Sequence, residues 1–154
     1  MVKNTYMKYL FMLLTFASGI AHAQSQEASV QAIVDRLFEG MKKSDTALIR
    51  SAFAPGCILQ TVVVNKENKT VLLTEALDSF LLTISRPHNE IYDERIRFDQ
   101  VKIDGELAMV WAPYEFYLGN QFSHCGVDSF QLIHINGEWK IQYLVDTRRR
   151  QGCK

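Results

Sequence analysis

Three dipeptides in the second half of the chain, Asp104-Gly105, Gly119-Asn120 and Asn136-Gly137, stand about 15 residues apart and separate long runs rich in β-branched and aromatic residues. Such dipeptides favour two-residue hairpin turns, whose twist matches that of the strands they join. Four segments from about Ile91 onward are therefore expected to form an antiparallel meander. Two-residue turns also fix the register, and register decides which side chains share a face. On that basis one face collects Ile96 and Phe98, then Leu107, Met109 and Trp111, then Asp128, Phe130 and Leu132, and finally Trp139, Ile141, Tyr143 and Val145, and is the buried one. The opposite face receives Arg95, Arg97, Gln142, Asp146 and Arg148 among Val110, Ala112, Tyr114, Phe116 and Val127. Pro113 cannot donate a ladder hydrogen bond, so a bulge is expected there, nominally opposite Gly126.

The preceding segments supply the other layer. Val30, Ile33, Val34, Leu37, Phe38 and Met41 follow helical spacing and mark a core-facing stripe. Ser44 or Asp45 can cap a short second helix over TALIRSAF, ended by Pro55-Gly56. CILQTVVV and TVLL read as a hairpin around NKENK, and Thr74 can cap a third helix whose apolar face is Leu77, Phe80, Leu81 and Ile84. The expected class is α+β: three helices in the N-terminal half on a mostly antiparallel six-stranded sheet.

Lys3 and Lys8 precede an apolar run too short to span a bilayer, and Ala21-His22-Ala23 has the small-x-small pattern of a signal-peptidase site. Residues 1–23 are thus expected to be a cleaved export signal, with a single domain over 24–154, periplasmic or secreted, and no membrane association after cleavage. Loss of Lys3 and Lys8 leaves 15 basic against 17 acidic side chains, a balance that does not favour nucleic acid. Cys57, Cys125 and Cys153 allow one internal bridge in an oxidising compartment. Cys125 with Cys153 is favoured because it would tie down the C-terminal tail, with other pairings and free thiols left open.

The element order and the segments DERIRFDQVKIDGELAMVWAPYEFY, FSHCGVDSFQL, GEWKIQYLVDT and DTRRRQGC resemble the nuclear transport factor 2-like superfamily, and more narrowly its putative lumazine-binding branch. The resemblance covers essentially all of 24–154. It implies a cone-shaped domain in which a strongly curved sheet wraps a long helix and leaves a cavity. It also implies dimerisation through the outer sheet face, where Val110, Ala112, Tyr114, Phe116 and Val127 would otherwise be wet. Ketosteroid isomerase, an enzyme relative, uses a tyrosine on the first helix, a carboxylate base after the second helix, and a neutral aspartate on a later strand. Here the first helix has no Tyr and GCILQTVVV has no acid, so only Asp128 matches, in the third role.

Asp128 alternates in step with Phe130 and Leu132, which puts a carboxyl group on the buried face. A buried carboxyl must be hydrogen-bonded, be neutral, or face a water- or ligand-filled cavity. With Trp111, Phe98, Phe130 and Tyr143 as walls, it would anchor a small aromatic or heterocyclic ligand in a slot. Alternatively Asp128 only fixes the sheet, or serves with His124 or His88 in a cofactor-free acid/base enzyme such as a dehydratase, isomerase or cyclase. His124 and Asp128, four residues apart on a strand, are separated by about 13 Å and cannot touch. His124 could instead meet Glu115 across the hairpin. His134 is expected opposite Trp139. No phosphate loop, nucleophile elbow or metal-binding His pair is present in the sequence.

Overall fold

Val30, Ile33, Val34, Leu37, Phe38 and Met41 fall along one face of a helix, α1, which occupies 24–43 in a computed structural model that describes residues 24–153. All six are buried against the sheet and form the centre of the core. The export signal expected over 1–23 lies outside the described residues. After α1 the chain reverses at Ser44, and the Asp45 carboxylate accepts from Leu48 N at 2.9 Å to start α2 (Thr46–Ala52). Gly40 permits the close crossing of α1 and α2, because a Cβ there would lie 2.6 Å from Ile49 Cγ1.

β1 (Phe53–Val64) and β2 (Thr70–Glu75) form the first hairpin, and α3 (Leu77–Ser85) buries Leu81 and Ile84. Thr74 does not cap α3 as expected. It remains in β2, where its hydroxyl accepts from Gln60 Nε2 at 3.0 Å, and Ala76 holds the cap position with no side-chain hydrogen bond.

The sheet has seven strands, ordered β2-β1-β7-β6-β5-β3, with β4 also pairing β5. The later members are β3 (Tyr92–Ile96), β4 (Gln100–Asp104), β5 (Leu107–Leu118), β6 (Gln121–Ile135) and β7 (Glu138–Arg149). β1 runs parallel to β7, and the other pairs are antiparallel. Seven strands replace the expected six because the first meander segment breaks at 97–99. Pro113 explains the break: Arg97 N donates to Pro113 O at 2.9 Å, but proline has no N–H to complete the reciprocal bond. Pairing slips by one residue there, from Ile96 opposite Tyr114 to Gln100 opposite Trp111. On its other side Pro113 pairs regularly with Val127, not Gly126.

Two further irregularities decide which face is which. The turns at Gly119-Asn120 and Asn136-Gly137 form as expected, whereas the first is shifted by one residue to Gly105-Glu106, Asp104 pairing with Leu107; Ser123 is an extra residue between Phe122, opposite Tyr117, and His124, opposite Phe116. Gln142 is likewise extra between Ile141 and Tyr143. Because side chains alternate, one inserted residue inverts every facing beyond it. Ala108, Val110, Ala112 and Tyr114 are therefore buried on the inner face, whereas Trp111, 42% exposed, lies on the outer one. Of the residues expected to carry a dimer contact, Val110, Ala112 and Tyr114 are thus interior and Phe116 packs against the core, leaving Val127, opposite Pro113, on the outer face. On β7 the second insertion brings Leu144, Asp146 and Arg148 inward in place of Tyr143 and Val145.

A disulfide joins Cys125 to Cys153 and holds the tail against β6; Cys57 is free. Beside it, Gly126 is required by contact. A Cβ there would fall 1.7 Å from Thr147 O and 2.6 Å from Tyr114 Cε1. Gly126→Ala is expected to cost about 3 kcal/mol, the upper range of core overpacking, read as a lowered denaturation midpoint. An unchanged midpoint would contradict the close packing of β5, β6 and β7 at this point.

Candidate functional site

The inward positions created by these registers converge on one hollow of about 340 Å³. Tyr92 and Glu94 from β3, Tyr114 and Phe116 from β5, and His124 and Asp128 from β6 share it with Leu144, Asp146 and Arg148 from β7. The opposite wall is apolar: Leu37, Phe38 and Met41 of α1 with Phe80 and Ile84 of α3. β3 is anchored to α1 by Asp93, which accepts from Lys42 Nζ and Arg95 Nε, each at 2.8 Å. The lysine bond, opposed by burial and aided by Arg95, holds the Asp93 carboxyl below its ordinary range. Alternation then aims the adjacent Glu94 inward.

Aromatic rings follow one another along the wall. Phe116 lies 5.9 Å from Tyr92 and 4.9 Å from His124, between ring centroids, and His124 meets Tyr114 edge-on at 5.8 Å. Beyond them is the polar end. Tyr114 Oη lies within donating distance of Asp146 Oδ2, at 3.1 Å, and of Thr147 O, at 3.0 Å. Burial first, then the Asp146 charge, pushes the Tyr114 phenol well above its ordinary range, so it remains a donor. The half-exposed Arg148 places Nη2 3.5 Å from Asp146 Oδ2.

Asp128 is 3% exposed, and its Oδ2 is buried with no hydrogen-bond partner. Its carboxyl interacts with that of Glu94, which lines the same hollow. Two interacting buried carboxyl groups do not both ionise readily, which favours a proton on the pair. Burial, followed by the Glu94 and Asp146 charges, raises Asp128 well above the carboxylate range. Burial also raises Glu94, to about 7. Asp128 is accordingly the neutral member of the pair. His124 is held down, to about 4, by burial and then by Arg148, so its imidazole is neutral at pH 7; its Nδ1 lies 3.0 Å from Ser123 Oγ.

Asp128 and His124 both line the hollow, on the same strand and with no direct contact between them. The four rings expected to wall it do not. Trp111 and Tyr143 face outward because of the insertions at Ser123 and Gln142, and Tyr143 Oη donates to Gln60 Oε1 at 2.6 Å. Phe130 is wholly buried, edge-on to Phe38 at 6.2 Å, and Phe98 packs on the core beside the 97–99 break. Glu115 pairs with Cys125 and accepts from Tyr117 Oη at 2.8 Å, so the Glu115–His124 couple does not form. His88 is half-buried and stacks on Tyr92 at 4.1 Å, while His134 sits opposite Trp139 and binds Glu106 at 2.6 Å. Glu94 was legible: it is in phase with Ile96 and Phe98. Tyr114, Asp146 and Arg148 lie beyond insertions that no proline or glycine marks. Among the described residues, no group of three or more His, Cys, Asp or Glu has the geometry to hold a metal ion.

Retained protons make the fold sensitive to pH. The unfolded carboxyls ionise near their ordinary values while the folded pair holds its proton, so stability is full at low pH and falls as pH rises through the raised values. Between the ordinary carboxyl range and about pH 7, the raised value of Glu94, the fall approaches at most about 1.4 kcal/mol per pH unit per retained proton, opposed below the ordinary imidazole range by His124, which takes up a proton on unfolding. Denaturant titrations should show this slope in the native protein and its loss in Asp128→Asn. A flat native profile would mean that no proton is held.

A family model described as "Putative lumazine-binding" matches residues 25–143. No curated protein matches the chain. Among solved structures, an NTF2-like protein of unknown function from Shewanella baltica is similar with TM-score 0.64 and 17% identity, over 82% of this chain and 96% of its own. A cystatin-like-fold domain of unknown function from Nostoc punctiforme gives TM-score 0.64 and 12% identity, over 83% and 80%. The β subunit of a putative aromatic-ring-hydroxylating dioxygenase from Novosphingobium aromaticivorans gives 0.67 and 10%, over 82% and 90%. At these identities the likeness is one of fold.

Proposed function

Since the chain belongs to the putative lumazine-binding family and has the NTF2-like fold, we propose that it is an exported domain that binds a small, flat heterocycle in the hollow between the sheet and α1 and α3. The observation that carries the reading is Asp128: a carboxyl group almost wholly removed from water, with one oxygen unpartnered, at the wall of a space large enough for a small molecule. Phe80, Phe116 and Tyr92 supply faces for a planar ring, and the acids at one end supply orientation.

Export is supported by the Cys125–Cys153 bridge, since such bonds persist in oxidising compartments. The mass of the protein recovered from the producing cell's periplasm or medium should correspond to a chain beginning at Gln24. Recovery of the full-length chain from the cytoplasm alone would refute export.

Binding is tested by titrating the 24–154 chain with pterins and flavins under calorimetry. Leu144→Trp, which fills the hollow, should abolish the heat of binding, and Asp128→Ala should weaken it about tenfold or more, the scale of one lost hydrogen bond to a buried partner. Undiminished binding by both variants would place the ligand elsewhere; no binding by the native protein would remove the proposal.

One observation favours acid/base chemistry as a second reading. Glu94, with its pKa raised to about 7, next to a neutral carboxyl is the arrangement a proton-transfer enzyme needs near neutrality. It calls for chemical change in the bound heterocycle, detected by mass spectrometry and lost in Asp128→Asn and Glu94→Gln. A ligand recovered unchanged selects simple binding.

A further inference from the structure

Four carboxyl groups line the hollow, the exposed Glu75 and the inner three, Glu94, Asp128 and Asp146, against one guanidinium, Arg148. Asp146 has its own partners in Tyr114 Oη and Arg148. Glu94 acts on Asp128, whose Oδ2, inside a side chain only 3% exposed, has no hydrogen-bond partner. The remaining walls bring no further balancing cation: α1 and α3 contribute Leu37, Phe38, Met41, Phe80, Thr83 and Ile84, β2 contributes the exposed Glu75, and β3 the Tyr92 ring. His124 faces the same space from β6 with an imidazole that burial keeps neutral.

An anionic ligand would add a further negative charge to this acid excess. A dioxo heterocycle would bring carbonyl oxygens flanking each N–H, and these would face carboxyl oxygens. An amidine-type edge, as in an aminopyrimidine ring, offers two parallel N–H donors and no flanking acceptor, which matches a carboxylate in the bidentate manner. Its positive charge would also lie among Tyr92 and Phe116 faces.

Taking the small-molecule-binding reading as its premise, we infer that the acid-lined hollow selects basic aminopyrimidine-type heterocycles over their dioxo counterparts, the ring accepting a proton from the Asp128 carboxyl group. In this step the Asp128 O–H bond breaks and a ring N–H bond forms, leaving an ionised carboxylate paired with a cationic ring; no other reactant is needed.

Three pteridines of the same outline test it at about pH 8, where the free diamino compound is neutral: 2,4-diamino, 2-amino-4-oxo and 2,4-dioxo. The diamino compound should bind about tenfold or more tightly than the dioxo compound, the difference made by a charge-assisted pair, and should absorb as its protonated form when bound. Asp128→Asn should bring the two affinities together and return the spectrum to the neutral form, with Glu94→Gln as the substitute if that variant does not fold. Equal or tighter binding of the dioxo compound, or a bound diamino compound with a neutral spectrum, overturns the inference while leaving the binding site standing. Failure of all three to bind overturns both.

Discussion

Two extra residues, Ser123 and Gln142, determine what the inside of this protein is made of. Alternation along a strand is strict, so a single insertion exchanges inner and outer faces for the rest of the pairing. Without the Ser123 insertion, Trp111 would lie across from Asp128 and Tyr114 would point outward. Without the one at Gln142, Asp146 and Arg148 would be on the outer surface and the inner acids would be two, not three. The facing helix is unchanged, α1 still presenting Leu37, Phe38 and Met41. The bulges act on the sheet's share of the interior, placing Ala108, Val110 and Ala112 in the core and Tyr114, Asp146 and Arg148 at the polar end of the hollow, in keeping with bulges serving to re-aim side chains near sites.

Burial then turns geometry into chemistry. A carboxylate at the surface would simply ionise, but Asp128 and Glu94 lie together in a space walled by apolar side chains, with Asp146 close enough to oppose a further negative charge. Holding a proton on the pair is the lower-energy arrangement. Gly126 contributes by absence, because the Tyr114 ring and Thr147 carbonyl occupy the volume a side chain would need. That close approach lets the Tyr114 hydroxyl reach Asp146 across β6.

Much of the architecture was legible because it depends on local signals. The α1 stripe follows from helical spacing, the three hairpins from their Gly-containing turns, and the inward facing of Asp128 from the Asn136-Gly137 turn close by. Pro113 announced an interruption, correctly placed along β5 but felt by β3 and β4, because its missing N–H points to that neighbour. The inner face of β5 and the far half of β7 were not legible. Their facing depends on insertions without a compositional mark, and counting back from an ideal turn propagates the error to each residue beyond. Hence the expected rings Trp111 and Tyr143 are outside, while Phe116, Phe80 and Tyr92 occupy the wall. Glu94 is legible by simple alternation, one step from Ile96 and Phe98 towards the start of β3.

The proton held by Asp128 and Glu94 is the claim from which the site's chemistry follows, and carboxyl-carbon NMR of the unliganded 24–154 chain reads it without any ligand. The Asp128 side-chain carbon should reach its ionised shift only well above the usual carboxylate range, and Glu94 should titrate near about 7. If both carbons instead reach their ionised shifts by about pH 5, the two groups are separate, hydrated carboxylates, and the hollow holds no shared proton.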